Sequence, residues 1–186
     1  MARSSEDTRR RLLDAATAEF AEHGIAGARV DRIAAAAGCN KQAIYAYFGS
    51  KDGLFDAVYD LLCVRIVDAV PIDAHDLPGY AVRLSDWFAA NPQVLRLAAW
   101  FQLEVGASRL PPAVALRATE HKIAAIRAAQ DAGAIGSRFA PEALLALVLR
   151  IATTGSKDSP ESGLLDASAA TLRQVVRAAV ERLVSN

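Results

Sequence analysis

Aromatic side chains are scarce in this chain, only 6 % of its 186 residues. That scarcity disfavours a β-sandwich or barrel, whose strands draw on aromatic and β-branched residues. Cysteine is nearly missing as well: Cys39 and Cys63 stand alone, with no CxxC pair and no Cys/His cluster at metal spacing. No disulfide framework, metal site or cofactor is expected, and each thiol is expected to be a small buried side chain in a reducing compartment. Charge of one sign is lacking too, since 21 Lys/Arg balance 21 Asp/Glu. Nothing global therefore draws the chain to nucleic acid, and any such argument must be local. The basic run Arg9-Arg10-Arg11 by itself reads as a solvated helix face. Long apolar runs are absent: Ala143–Ile151 is interrupted by Arg150, and the N-terminus carries no apolar signal core. Neither secretion nor contact with a membrane is expected, and the expected location is cytoplasmic.

What is present is a hydrophobic fraction of 53 %, rich in alanine and leucine, which suits closely packed helices. The periodicity predicts a first helix over 5–23, capped by Ser4 or Ser5, with Leu12, Leu13, Ala16 and Phe20 inward and Gly24 as its stop. Two short helices follow, over 30–37 and 41–47, separated by Gly38-Cys39-Asn40, with Asn40 as cap of the second. Ser50 caps a long fourth helix that breaks at Pro71. Further helices are predicted over 78–90, 92–105, from about 112 to 132, over 141–154 and over 166–184. Asn91-Pro92 reads as cap and first residue of the sixth, and Gly155–Gly163 reads as a mobile loop. No strand-like alternation survives. The expected fold is all-α, about nine helices: a small three-helix helix-turn-helix domain over 1–50, and a larger helical domain over 51–186.

The informative stretch is Val30–Phe55. A helix of about two turns buries too little to stand alone, and the outward residues here, Asn40, Lys41, Gln42, Tyr45 and Tyr47, are all donors and none acidic. An apolar back with a donor-rich front suits a groove lined by phosphates and base edges. Lys41 and Gln42 sit at the exposed start of the third helix, where side chains reach the floor of the major groove. Gln42 can pair with adenine, Lys41 can donate to guanine or phosphate, and Tyr45 and Tyr47 can donate to phosphates. Lys51 lies in the first turn of the fourth helix, where its charge opposes the dipole; a nearby phosphate explains it better than helix stability does.

The run Asp31-Arg32-Ile33-Ala34 through Gly38 to Ala43-Ile44-Tyr45-Ala46-Tyr47-Phe48, then Ser50-Lys51-Asp52 and Leu54-Phe55, resembles the TetR family of bacterial transcriptional regulators. Ala15-Ala16, Glu19-Phe20 and His23-Gly24 in the leading helix fit the same pattern. The resemblance covers about residues 8–56, and beyond residue 60 it is one of architecture only. Two departures stand out. Arg29 occupies the position of a Ser or Thr cap, a loss of about 0.5–2 kcal/mol that a phosphate contact by Arg29 would offset. Cys39 replaces an aliphatic residue.

The resemblance implies a palindromic double-stranded operator, repression, and release by a small, largely apolar effector in the larger domain. The candidate pocket residues are Tyr59, Leu62, Cys63, Ile66, Trp87, Phe88, Leu97, Trp100, Phe101, Glu104, His121 and Ile151, with Glu104 and His121 as possible polar anchors. Large apolar side chains at helical spacing also read simply as core. Leu144, Leu147 and Val148 of the eighth helix, with Leu172, Val175, Val176, Ala179, Val180 and Leu183 of the ninth, are the expected interface of a two-fold homodimer built as a four-helix bundle. Two rival functions remain. A family member acting through a protein partner, without a small ligand, is one. An all-α enzyme is the other: its histidines (His23, His75, His121) are scattered, no HExxH, GxSxG or Walker loop occurs, and no catalytic residue is assigned.

Overall fold

The computed structural model describes residues 2–106, 108, 110–157 and 168–185, with side chains from Ser5 onward. Among them lie nine helices and no strand: α1 Ala2–Gly27, α2 Val30–Ala36, α3 Lys41–Phe48, α4 Lys51–Ala69, α5 Leu77–Ala90, α6 Pro92–Glu104, α7 Ala113–Asp131, α8 Pro141–Ala152 and α9 Ala169–Val184. None is long and apolar enough to cross a membrane. Residues 158–163 of the expected loop, and residues 166–167 of the expected ninth helix, lie outside the described residues. Ser168 caps α9, accepting from the Thr171 N–H at 3.1 Å.

One element differs from expectation. Gly24 does not end α1 but kinks it, with φ 72° and ψ 178°, before a last short piece reaches Gly27. α6 begins at Pro92 as expected. The Asn91 Nδ2 donates to the Trp87 carbonyl at 2.8 Å, so this residue also closes the C-terminus of α5. An Asn-Pro pair between adjoining helices reads equally well as the end of one and the start of the next. α5 has its own cap in Asp76, whose Oδ1 accepts the Gly79 N–H at 2.9 Å.

Packing divides the chain into two units, Met1–Cys63 with Gln93–Ala115, and Val64–Pro92 with Leu116–Asn186. The change falls inside α4 rather than at residue 50. The physical reason lies in the first core. Leu12, Ala16, Phe20, Ile33 and Ile44 are buried there, but so are Leu54, Phe55, Val58 and Leu62 of α4, and Leu97 and Phe101 of α6. The Phe55 ring meets Phe20 edge-on at 5.3 Å and stacks on Phe101 at 6.3 Å, and Tyr59 lies 5.3 Å from Phe101. Such aromatic pairs contribute about 0.5–1.5 kcal/mol each beyond their buried area. A three-helix headpiece cannot enclose those rings by itself.

The second unit is built on α5, which packs against α8 and α9. Leu77, Tyr80 and Leu84 of α5, Ile126 of α7, Leu144 and Val148 of α8 and Val176 and Val180 of α9 are all fully buried. Arg173 of α9 is tied to Asp86 of α5 at 2.8 Å, and Arg127 of α7 to Glu142 of α8 at 2.7 Å.

Candidate nucleic-acid interface

The turn between α2 and α3 depends on Gly38, at φ +63°, a conformation open to glycine at little steric cost. Arg11 reaches across from α1 and donates to the Ala37 carbonyl at 3.0 Å, closing the end of α2. Asn40 then starts α3, its Oδ1 accepting the Ala43 N–H at 2.9 Å. That oxygen is spent on the cap, so contact between Asn40 and DNA is left to its Nδ2 donors. Ile44 anchors α3 from below with no exposed surface, while Lys41, Gln42, Tyr45 and Tyr47 stand on the outside. Tyr45 is 46 % exposed and belongs to the surface rather than the core.

Two of these outward side chains, those of Lys41 and Tyr47, are already engaged. Lys41 Nζ pairs with Asp31 of α2 at 3.1 Å, and this hydrogen bond raises the Lys41 pKa and keeps its ammonium charged. The Tyr47 hydroxyl lies 2.8 Å from Ser5 Oγ and donates to the Ser5 carbonyl at 3.2 Å. The Arg9 guanidinium sits over the Phe48 ring, 5.5 Å from its centroid. The start of α1 is thus fixed against the end of α3. These contacts span 39 to 42 positions of sequence, and no local pattern announces them.

Lys51 has a partner that explains it without a phosphate. Its Nζ donates to the Ala26 carbonyl at 3.1 Å and the Ala28 carbonyl at 3.4 Å, at the α1–α2 junction. The expectation is that a nearby phosphate explains this lysine better than helix stability does; the two carbonyls give its place a further cause. An ammonium carries three donors, so it can still share with an anion.

Arg29 is the N-cap of α2 by its extended backbone, and its side chain makes no capping bond among the described residues. Glu19 of α1 takes over part of that task. Its Oε1 accepts both the Arg29 N–H and Arg32 Nε, each at 2.8 Å. Burial alone would raise the Glu19 pKa, but the hydrogen bonds from Arg32 and Arg29 outweigh it and hold the carboxyl below its usual value. Glu19 and Arg32 entered the sequence reading only as parts of a pattern. Their opposite charge 13 residues apart, on consecutive helices, was the available signal.

The α1–α2 junction is also held from α6. The Ala26 N–H donates to Glu104 Oε2 at 2.7 Å, and Trp100 Nε1 donates to the Ala21 carbonyl at 3.4 Å. A Cβ on Gly24 would fall 2.6 Å from Glu104 Oε1 and 3.0 Å from the Trp100 ring, so glycine is needed there for space as well as for φ. Of the twelve expected pocket residues, Tyr59, Leu62, Cys63, Leu97, Trp100, Phe101 and Glu104 fall in the first unit, and Leu62, Leu97 and Phe101 are closed into its core. Ile66, Trp87, Phe88, His121 and Ile151 fall in the second, where His121 is exposed and the others pack against its core. Glu104 works as a backbone acceptor for the headpiece rather than as a polar anchor in a pocket.

The expected interface residues also separate. Leu144, Val148, Val176 and Val180 have no accessible surface and face their own core, which corrects their assignment to a partner contact. Leu147, 38 % exposed, and Val175, 51 % exposed, remain on the outside, with Leu172, Ala179 and Leu183 half-buried.

A capped two-turn helix, seated on an apolar back behind a glycine turn, presents an exposed outer row, and by class the molecule is a helix-turn-helix DNA-binding protein. The chain belongs to the TetR family of bacterial transcriptional regulators. The family model described as bacterial regulatory proteins, tetR family, matches residues 12–58, and that of the tetracyclin repressor-like C-terminal domain matches residues 76–182. The HTH-type transcriptional repressor SCO4008 of Streptomyces coelicolor is 40 % identical over 190 residues, covering 94 % of this chain and 98 % of the relative. The crystal structure of the putative transcriptional regulator SCO4942 from the same organism superposes with a TM-score of 0.83 at 38 % identity, covering 95 % of this chain and 98 % of that one. FadR from Bacillus subtilis, solved in complex with stearoyl-CoA, shares the fold with a TM-score of 0.71 at 18 % identity, over 95 % of this chain and 97 % of that one.

Proposed function

We propose that this chain represses transcription by binding a palindromic operator as a homodimer, and that a small, largely apolar effector releases it. The observation that carries the reading is the outer row of α3. Lys41, Gln42 and Tyr45 are exposed together on a helix whose opposite face is anchored by Ile44. Gln42 and Lys41 read base edges, Tyr45, Tyr47 and Lys51 meet phosphates, and Arg29 neutralises a further one. A two-fold dimer presents this row twice, and the operator mirrors that symmetry. Leu147 and Val175 supply the outward apolar surface on α8 and α9 for the pairing. The likeness to SCO4008, which carries the name of a repressor, favours repression over activation. That FadR holds an acyl-CoA on the same fold supports a small-molecule effector, whose differential affinity for the DNA-free state would set the release. No residue is assigned to catalysis.

Selection of bound sequences from a random double-stranded pool tests the reading. Enrichment of an inverted repeat is expected. Enrichment of a single unpaired half-site, or none at all, overturns it.

A further inference from the structure

Three arginines stand in a row near the start of α1, and the structure sends each to a different place. Arg11 donates to the Ala37 carbonyl at 3.0 Å and to Thr8 Oγ1 at 3.4 Å. Arg10 is taken up by Asp7, three residues back, at 2.6 Å. Arg9 is exposed, and among the described residues it pairs with no carboxylate. Its guanidinium lies over the ring of Phe48, the last residue of α3, 5.5 Å from the centroid. Stacking on an aromatic face holds a guanidinium by its plane and leaves the N–H donors around its edge open. Of the acidic residues beside it on α1, Asp7 is engaged by Arg10, and Glu6 is exposed to solvent.

The place of Arg9 is set from α3 as well. Ser5 and Arg9 are four residues apart and share one face of α1. A tyrosine hydroxyl has one proton to donate, and that of Tyr47 goes to the Ser5 carbonyl at 3.2 Å, with Ser5 Oγ 2.8 Å away. Two residues along a helix turn the side chain by about 200°, so Tyr47 leaves the row of Tyr45 and reaches back to α1. A helix roughly 10–12 Å across fills a major groove about 12 Å wide. Charges flanking such a helix stand against the sugar-phosphate backbone rather than the base edges. Lys41 and Gln42, at the opposite end of α3, lie roughly 10 Å further along its axis.

We propose that Arg9 is a phosphate-contacting residue of the operator interface, and that Tyr47 is its positioning residue, fixing the start of α1 against the end of α3. The inference rests on the operator binding proposed above and adds to it a backbone contact from α1. A phosphate is the partner by chemistry. The open edge of a guanidinium matches two anionic oxygens in parallel hydrogen bonds, and Arg9 stands off the row that faces the bases. Its contact therefore carries charge but no sequence preference.

The test uses the full chain, the double-stranded sequence that selection enriches, and single-base variants of that sequence, with Kd measured over a range of salt. Arg9→Gln is expected to weaken all of these sequences by the same factor, at least threefold at low salt. It should also flatten the slope of log K against log salt by about 0.9, the share of one phosphate. Arg10→Gln should flatten that slope by less than half as much, because Asp7 already holds its parent side chain. Tyr47→Phe should lower affinity with Arg9 present, and by a smaller factor in the Arg9→Gln background. Ser5, Arg9 and Tyr47 are exposed, so each variant is expected to keep a Tm close to that of the wild type. An unchanged slope for Arg9→Gln overturns the contact. So does equal flattening by Arg9→Gln and Arg10→Gln, which marks diffuse charge, or a loss confined to one base position, which marks base reading. Equal losses from Tyr47→Phe in both backgrounds overturn its positioning role. A wild-type chain that enriches no sequence sinks the operator reading and this inference together, whereas the other outcomes sink this inference alone.

Discussion

The Lys41 ammonium is shared with Asp31, 3.1 Å away, so a contact of Lys41 with the operator would have to compete with that carboxylate. The pair is exposed, so its own contribution to stability is slight, yet it sets the charge on the outer face of α3. Asp31→Asn should therefore tighten operator binding several-fold at low salt. It should also steepen the dependence of log K on log salt by up to about one charge. The same change removes the acidic residue from the first turn of α2 and should lower Tm slightly, because that carboxylate favours the helix dipole. Affinity and stability would then move in opposite directions; an affinity that does not rise refutes the competition. Arg29 allows the converse experiment. A threonine there can supply the missing cap, so Arg29→Thr should stabilise the fold by about 0.5–2 kcal/mol. If Arg29 also meets a phosphate, the variant's salt slope should flatten by about one charge, and an unchanged slope would remove Arg29 from the interface.

Between elements, α1 and α2 share a buried apolar core and are also joined through Glu19, which serves the Arg29 N–H and Arg32 together. Its folded pKa lies below 4.5, so the stability it lends is complete above about pH 4.5 and is lost as the pH falls through the folded value. Glu19→Gln should lower Tm by a few degrees at pH 7, and thermal melts should show that deficit closing as the pH drops below 4.5. A deficit independent of pH would mean the carboxylate charge is not what joins the helices. Sequence made the elements themselves readable wherever the cause is local. The Asn40 cap, the Gly38 turn, the Ser50 start of α4 and the Leu12–Phe20 stripe each need only a few neighbouring residues. Contacts between elements escaped it for the opposite reason. Lys51 finds carbonyls 23 and 25 residues back, and Glu104 finds an N–H 78 residues back. Both side chains read the same on paper whether they face water, a ligand or another backbone.

At the scale of the whole molecule, the apolar stripes of α8 and α9 carry the same ambiguity. Periodicity marks the side that is buried but not whether a chain buries it in itself or in a copy. The structure separates the two cases residue by residue, with Val176 inward and Val175 outward. Leu147→Glu combined with Val175→Glu should leave the monomer folded, convert the proposed dimer to monomer in sedimentation, and weaken operator binding at least tenfold, since each subunit would then hold its half-site alone. A double variant that still sediments as a dimer would place the interface elsewhere.

The position of α6 bears on how such regulators can exchange parts. The segment matched as C-terminal domain begins at residue 76, yet Trp100, Phe101 and Glu104 of α6 complete the packing of the N-terminal one. A chimera joined between residues 58 and 76 would move the reading helices while leaving their third wall behind. Unless the new host supplies an aromatic ring against Phe55 and an acceptor for the Ala26 N–H, the transplanted headpiece would arrive unsealed. The natural cut for modular exchange therefore takes two pieces, residues 1–63 and 93–115, and drift in one should be tolerated only when the other drifts with it.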